Sequence, residues 1–70
     1  MKTIKSVTFE AIDNLANKIY EKLPTGTTIE SVKKKISDFL ITDGNKKFID
    51  TYNELAKTSN FDKAVNTLKI

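Results

Sequence analysis

Hydrophobic residues recur at intervals of three and four along most of the chain, which is the spacing of an α-helix with one buried face. The first pattern follows Thr8, a favourable N-cap residue, and stops before Pro24, because a residue preceding proline disfavours the α conformation. Its apolar members are Phe9, Ile12, Leu15, Ala16, Ile19, Tyr20 and Leu23. The pattern predicts a helix over residues 8–23 with Phe9 on its core face.

Three more patterns of the same kind predict helices over residues 28–42, 45–57 and 60–69. Thr27 and Glu30 have the spacing of a capping box, Gly44 suits a left-handed C-terminal cap, and Ser59 or Asn60 suits the last N-cap. Their core residues are expected to be Ile29, Val32, Ile36, Phe39, Leu40, Phe48, Ile49, Tyr52, Leu55, Ala56, Phe61, Ala64, Val65 and Leu68.

These patterns predict an all-α fold: one helical domain over residues 1–70, built as a compact bundle of four short helices. Residues 1–7 precede the first helix and are expected to form a short extended arm. An alternative is a β-hairpin in which residues 39–42 and 46–49 flank the Asp43-Gly44 turn. The helical spacing continues up to the turn on both sides, so the bundle is the preferred interpretation.

Composition limits how so small a domain is stabilised and where it acts. The 70 residues include no cysteine and no histidine, so disulfides and a Cys/His zinc site are excluded. Stability must come from helix packing or from self-association, which makes a homo-oligomer one expectation. No apolar run approaches the ~18 residues of a membrane span, and no signal peptide is recognisable, so we expect a cytoplasmic protein without a membrane partner.

The side chains that most enzymes need are missing. No histidine is present to activate a serine, and two glycines eighteen positions apart cannot form a phosphate-binding loop. The carboxylates alternate with lysines at helical spacing, as in Glu30-Lys34-Asp38 and Lys46-Asp50-Glu54-Lys57, which predicts ion-pair ladders along exposed helix faces. We therefore expect no enzymatic activity, no cofactor and no bound metal.

All twelve basic residues are lysine, and the net charge is +3. Lys33, Lys34 and Lys35, together with Lys46 and Lys47 across the Gly44 turn, are candidates to converge at one end of the domain and contact nucleic-acid phosphates. The lack of arginine disfavours specific base recognition. A small basic DNA-binding regulator is accordingly the alternative function.

Residues 3–40 provide one form of that alternative. A β-prone arm, an amphipathic helix, a glycine turn with threonine caps and a second helix resemble the element order of the ribbon-helix-helix repressors. The resemblance implies that arms from two chains pair as strands and enter the DNA major groove. It also implies that Thr3 and Lys5 read bases, while Thr27 and Thr28 place a helix N-terminus against phosphate.

Several apolar residues have no evident place in the four core faces. Ile41 projects beyond the second pattern, Tyr20 lies at the edge of the first, and Ile4, Val7 and Ile70 lie near the termini. They either complete the core or form an exposed patch that binds a protein partner or a second copy.

The preferred hypothesis is a small non-catalytic regulatory or inhibitory protein that acts through a protein partner. The lysine-only basic set is typical of low-GC coding sequences and suggests a bacterial, phage or mobile-element source.

Overall fold

A computed structural model describes all 70 residues and contains four α-helices and no strand. The helices are α1 (Phe9–Tyr20), α2 (Ile29–Asp43), α3 (Asn45–Thr58) and α4 (Phe61–Leu68). They hold 70% of the residues in a body of 32 × 25 × 20 Å. The prediction of an all-α four-helix bundle is confirmed, and the alternative hairpin at Asp43-Gly44 is wrong because both flanking segments are helical.

Side-chain oxygens cap three of the four helix starts, as expected where backbone N–H groups have no helical partner. The Thr8 hydroxyl accepts from the Ala11 N–H at 3.0 Å, and the Asn60 Oδ1 accepts from the Lys63 N–H at 3.1 Å. The predicted capping box of Thr27 and Glu30 is wrong. Thr28 is the N-cap of α2, and its hydroxyl accepts from the N–H of Ser31 at 3.2 Å.

Helix α1 ends at Tyr20, three residues before the predicted end. After Tyr20 the hydrogen bonds span three residues instead of four. The N–H groups of Lys22 and Leu23 donate to carbonyls three residues earlier, at 2.9 and 3.2 Å. Such i to i+3 bonds are common where a helix finishes. The segment between Tyr20 and Pro24 is therefore a turn, not a continuation of the α-helix.

Gly44 alone connects α2 to α3. Its N–H donates to the Leu40 carbonyl at 3.1 Å, and its carbonyl accepts from the Phe48 N–H at 3.3 Å, so one residue closes one helix and opens the next. Its φ of +91° and ψ of 169° differ from the predicted left-handed cap and fall in a region that is essentially restricted to glycine. The sharp change of chain direction between α2 and α3 thus depends on glycine at position 44, which has no Cβ.

The core contains only hydrophobic residues, and all four helices contribute to it. Leu15 and Ile36, which the pattern placed at its centre, are completely buried. The buried set is Ala11, Leu15, Ala16, Ile19, Val32, Ile36, Phe39, Phe48, Tyr52, Leu55, Ala64 and Leu68. Burying each large member contributes about 1.5–3 kcal/mol, so side-chain packing is the main stabilising term.

Two contacts define the ends of the bundle. The Lys22 ammonium lies 5.3 Å from the centroid of the Phe61 ring, which joins the end of α1 to the start of α4. At the opposite end Leu68, the last residue of α4, lines a groove with Phe39 of α2. We call these the Phe61 end and the Leu68 end. Helix α1 starts, and helices α2 and α4 finish, towards the Leu68 end.

The salt bridges join neighbouring helices. Lys33 of α2 pairs with Asp13 of α1 at 3.2 Å, and Lys63 of α4 pairs with Glu54 of α3. The ladders predicted along single helices do not form. Lys34, Lys46 and Lys57 are in no salt bridge, and the ladder carboxylate Glu54 pairs with Lys63 of α4 instead. All four bridging side chains are substantially exposed, so each pair adds about 0–1 kcal/mol to stability.

Candidate functional site

Two large apolar side chains stand almost entirely in solvent. Phe9 is 88% exposed and Ile41 is 84% exposed, although twelve other hydrophobic residues are fully packed away. Ile41 lies outside the core as its position in the sequence indicates. The prediction that Phe9 faces the core is wrong. Phe9 is the first residue of α1, and no other part of the chain covers its ring enough to bury it.

Both residues lie towards the Leu68 end of the bundle. The Asp13–Lys33 salt bridge fixes which faces of α1 and α2 meet. Phe9 precedes Asp13 by about one helical turn, and Ile41 follows Lys33 by about two turns. Because the helices run in opposite directions, these steps lead to the same end. We call Phe9 and Ile41 together the Phe9–Ile41 surface.

The other four candidate interface residues are placed differently. Tyr20 is 41% exposed and lies at the Phe61 end, beside the loop that leads to α2. Ile4, Val7 and Ile70 are partly buried and pack against the core, as in the alternative considered for them. The five candidates therefore do not form one patch. The two most exposed apolar side chains are Ile41, which was among the candidates, and Phe9, which the sequence pattern assigned to the core.

The five candidate phosphate-binding lysines have three kinds of surroundings. Lys33 is paired with Asp13. Lys35 lines the groove between α2 and α4 together with Asp38 and Asp43, and Lys47 lines the groove between α3 and α4 with Asp50 and Glu54. Lys34 and Lys46 are exposed. Of the five, only Lys33 is in a salt bridge, and carboxylates line the same grooves as Lys35 and Lys47, which weakens the local positive potential that phosphate contacts require.

The arm that the ribbon-helix-helix resemblance assigns to DNA has no strand in this chain. Thr3 and Lys5 are exposed on it, and between them the backbone of Ile4 is bonded to the Asn53 side chain. The Thr28 hydroxyl is occupied by its capping bond, and Thr27 is half-buried. These four residues thus lie on two separate segments, the arm and the loop before α2.

Comparison with known proteins adds no relative. No family model matches the chain, and no curated protein or solved structure is significantly similar to it. No group of three or more His, Cys, Asp or Glu side chains is arranged to hold a metal ion. None of the four helices is both long and apolar enough to cross a lipid bilayer. Function must accordingly be inferred from the surface of this chain itself.

Proposed function

We propose that this chain is a small non-catalytic binding protein that regulates or inhibits a protein partner through the Phe9–Ile41 surface. The observation that supports the proposal is the near-complete exposure of these two side chains. Burying a phenylalanine or an isoleucine contributes about 1.5–3 kcal/mol, and here neither residue contributes that energy to folding. In keeping with the composition, we place its action in the cytoplasm of a bacterium, with a phage or mobile element as the source.

The position of the two side chains suits them as binding anchors. Both stand on helices that other residues anchor in the core, so little backbone freedom is lost when a partner covers them. Large, rigid apolar residues surrounded by polar ones are the usual centre of a protein interface. A standard interface of about 800 Å² per partner would cover roughly one sixth of the 4752 Å² surface, which fits one end of the bundle.

Aspartate substitutions in the Phe9–Ile41 surface test the proposal. Tagged wild type, Phe9→Asp and Ile41→Asp are used as bait in a low-GC bacterial host, with nuclease treatment in parallel. We expect wild type to retain a stoichiometric, nuclease-resistant partner that both variants lose, because an unpaired charge in an apolar interface is costly to desolvate. Thermal melting should stay close to that of wild type, since both side chains are exposed.

Asn17→Asp is the matched control, because Asn17 is an exposed α1 residue to which a similar charge is added. It should retain the partner. Partner capture that survives both Phe9→Asp and Ile41→Asp would overturn the proposal. So would a large fall in melting temperature in both variants, because it would mean that these side chains support the fold rather than an interface.

The alternative, a small basic DNA-binding regulator, predicts a strong dependence on salt. If Lys33, Lys34, Lys35, Lys46 and Lys47 contacted duplex DNA, the logarithm of the affinity would fall with the logarithm of salt concentration, with a slope near −0.9 per phosphate contact. We expect little or no retention on DNA at physiological salt. Sub-micromolar binding there that is lost when Lys34→Glu and Lys47→Glu are combined would favour the DNA-binding function instead.

A further inference from the structure

The N-terminal arm, residues 1–7, is attached to α3 by a single side chain. The Ile4 N–H donates to the Asn53 Oδ1 at 2.7 Å, and the Asn53 Nδ2 donates to the Ile4 carbonyl at 3.0 Å. One amide therefore satisfies both backbone groups of one residue, as a neighbouring strand would. Because Ile4 takes part through its backbone alone, these two bonds do not depend on which side chain stands at position 4.

Little else holds the arm in place. No backbone–backbone hydrogen bond connects residues 1–7 to the rest of the chain. Ile4 and Val7 pack against the core, and a bend at Lys5 and Ser6 separates them. A depression of about 390 Å³ remains between the start of the arm and the side chains of α1 and α3. The arm is thus attached by two hydrogen bonds and by the packing of two apolar side chains.

We propose that the face of α3 at Asn53 is a docking site for an extended segment, and that in a dimer this segment is the arm of a second copy of this chain. Residues 1–7 are the segment that the structure places there, and every copy carries them. An exchange of arms between two copies preserves both Asn53 bonds and the packing of Ile4 and Val7, which makes it a low-cost route to a dimer. The proposal is independent of the Phe9–Ile41 surface.

The bend at Lys5 and Ser6 lies between the residue held by Asn53 and the start of α1, so we expect its conformation to decide which arm is bound. A segment tethered by a short linker has an effective concentration in the millimolar range, so the arm of the same chain wins in dilute solution. Proline at position 6 confines Lys5 to an extended backbone and opposes the bend. The Ser6 N–H makes no backbone hydrogen bond that proline would remove. Ser6→Pro should therefore favour exchange.

Sedimentation velocity on the full-length chain measures this exchange. We expect wild type to be monomeric at micromolar concentration, and Ser6→Pro to dimerise at a protein concentration about tenfold lower than wild type requires. Adding Asn53→Ala should abolish the dimer, because both arm bonds are lost. Adding Asn17→Ala, an exposed asparagine without a side-chain hydrogen bond, should leave the dimer intact.

NMR identifies the contact directly. In a mixture of differently labelled copies, the Ile4 amide should show a cross-chain nuclear Overhauser effect to the Asn53 side chain, both in the Ser6→Pro dimer and in wild type at millimolar concentration. Ser6→Pro chains that stay monomeric with an intrachain Ile4–Asn53 contact would overturn the proposal. A dimer that withstands Asn53→Ala, or that disappears with Phe9→Asp, would also overturn it, because the copies would then associate elsewhere. If Ser6→Pro does not fold, absence of the effect in concentrated wild type decides against exchange.

Discussion

Replacing Phe48 with alanine is expected to lower the free energy of unfolding by about 3–5 kcal/mol. Phe48 is completely buried, and its ring centroid lies 6.1 Å from that of Tyr52. The substitution removes apolar burial and leaves a cavity that rigid neighbouring helices cannot fully close. Small domains commonly have a total stability of only about 5 kcal/mol, so much of the Phe48→Ala protein should be unfolded at room temperature.

Phe9→Ala provides the matched control, because it deletes the same atoms from a ring that is 88% exposed. Its free energy of unfolding should stay within about 0.5 kcal/mol of wild type. Urea titration followed by circular dichroism at a helix band measures both variants. Equal destabilisation by the two substitutions would contradict the placement of these rings, since only Phe48 should depend on the core.

Gly44→Ala is expected to destabilise the fold by about 1–3 kcal/mol through backbone strain alone. A Cβ at this position would meet no atom within 4 Å, so no steric clash with another element contributes. The cost arises because a φ of +91° is unfavourable for an L-residue. Thermal and urea unfolding of the purified variant give the magnitude.

D-alanine at position 44 separates strain from the added methyl group, and a 70-residue chain is within reach of chemical synthesis. The mirror image of the Gly44 conformation is ordinary extended backbone, so the D-residue should be accommodated. We expect its stability to equal or exceed that of wild type. Similar losses with L- and D-alanine would show that the methyl group itself, rather than the sign of φ, disrupts the junction.

The sequence was sufficient for the architecture because the periodicity of the core is strong. Leu15 and Ile36 are buried as predicted, and the starts of α1 and α4 follow Thr8 and Asn60, whose oxygens cap them. Which of two adjacent threonines caps the start of α2 was harder to predict. Thr27 and Thr28 are both good caps, and only the geometry of the chain selects Thr28.

The candidate sites were less predictable because they depend on contacts between distant residues. Ile4 and Asn53 are 49 positions apart, and no local pattern marks an exposed-looking asparagine as the partner of an arm. Phe9 has the correct helical spacing for the core, but spacing does not reveal that nothing covers the first turn. The lysines that bridge likewise reach carboxylates on other helices, which helical periodicity alone does not indicate.

A core made only of hydrophobic residues has a consequence for how this fold can change over time. Hydrocarbon packing is non-directional, so exchanges that conserve volume, such as isoleucine for leucine, typically cost less than about 1.5 kcal/mol. No buried polar pair has to be replaced in concert. Volume-conserving exchanges can therefore accumulate in this interior while the spacing of its apolar residues, rather than their identity, is preserved.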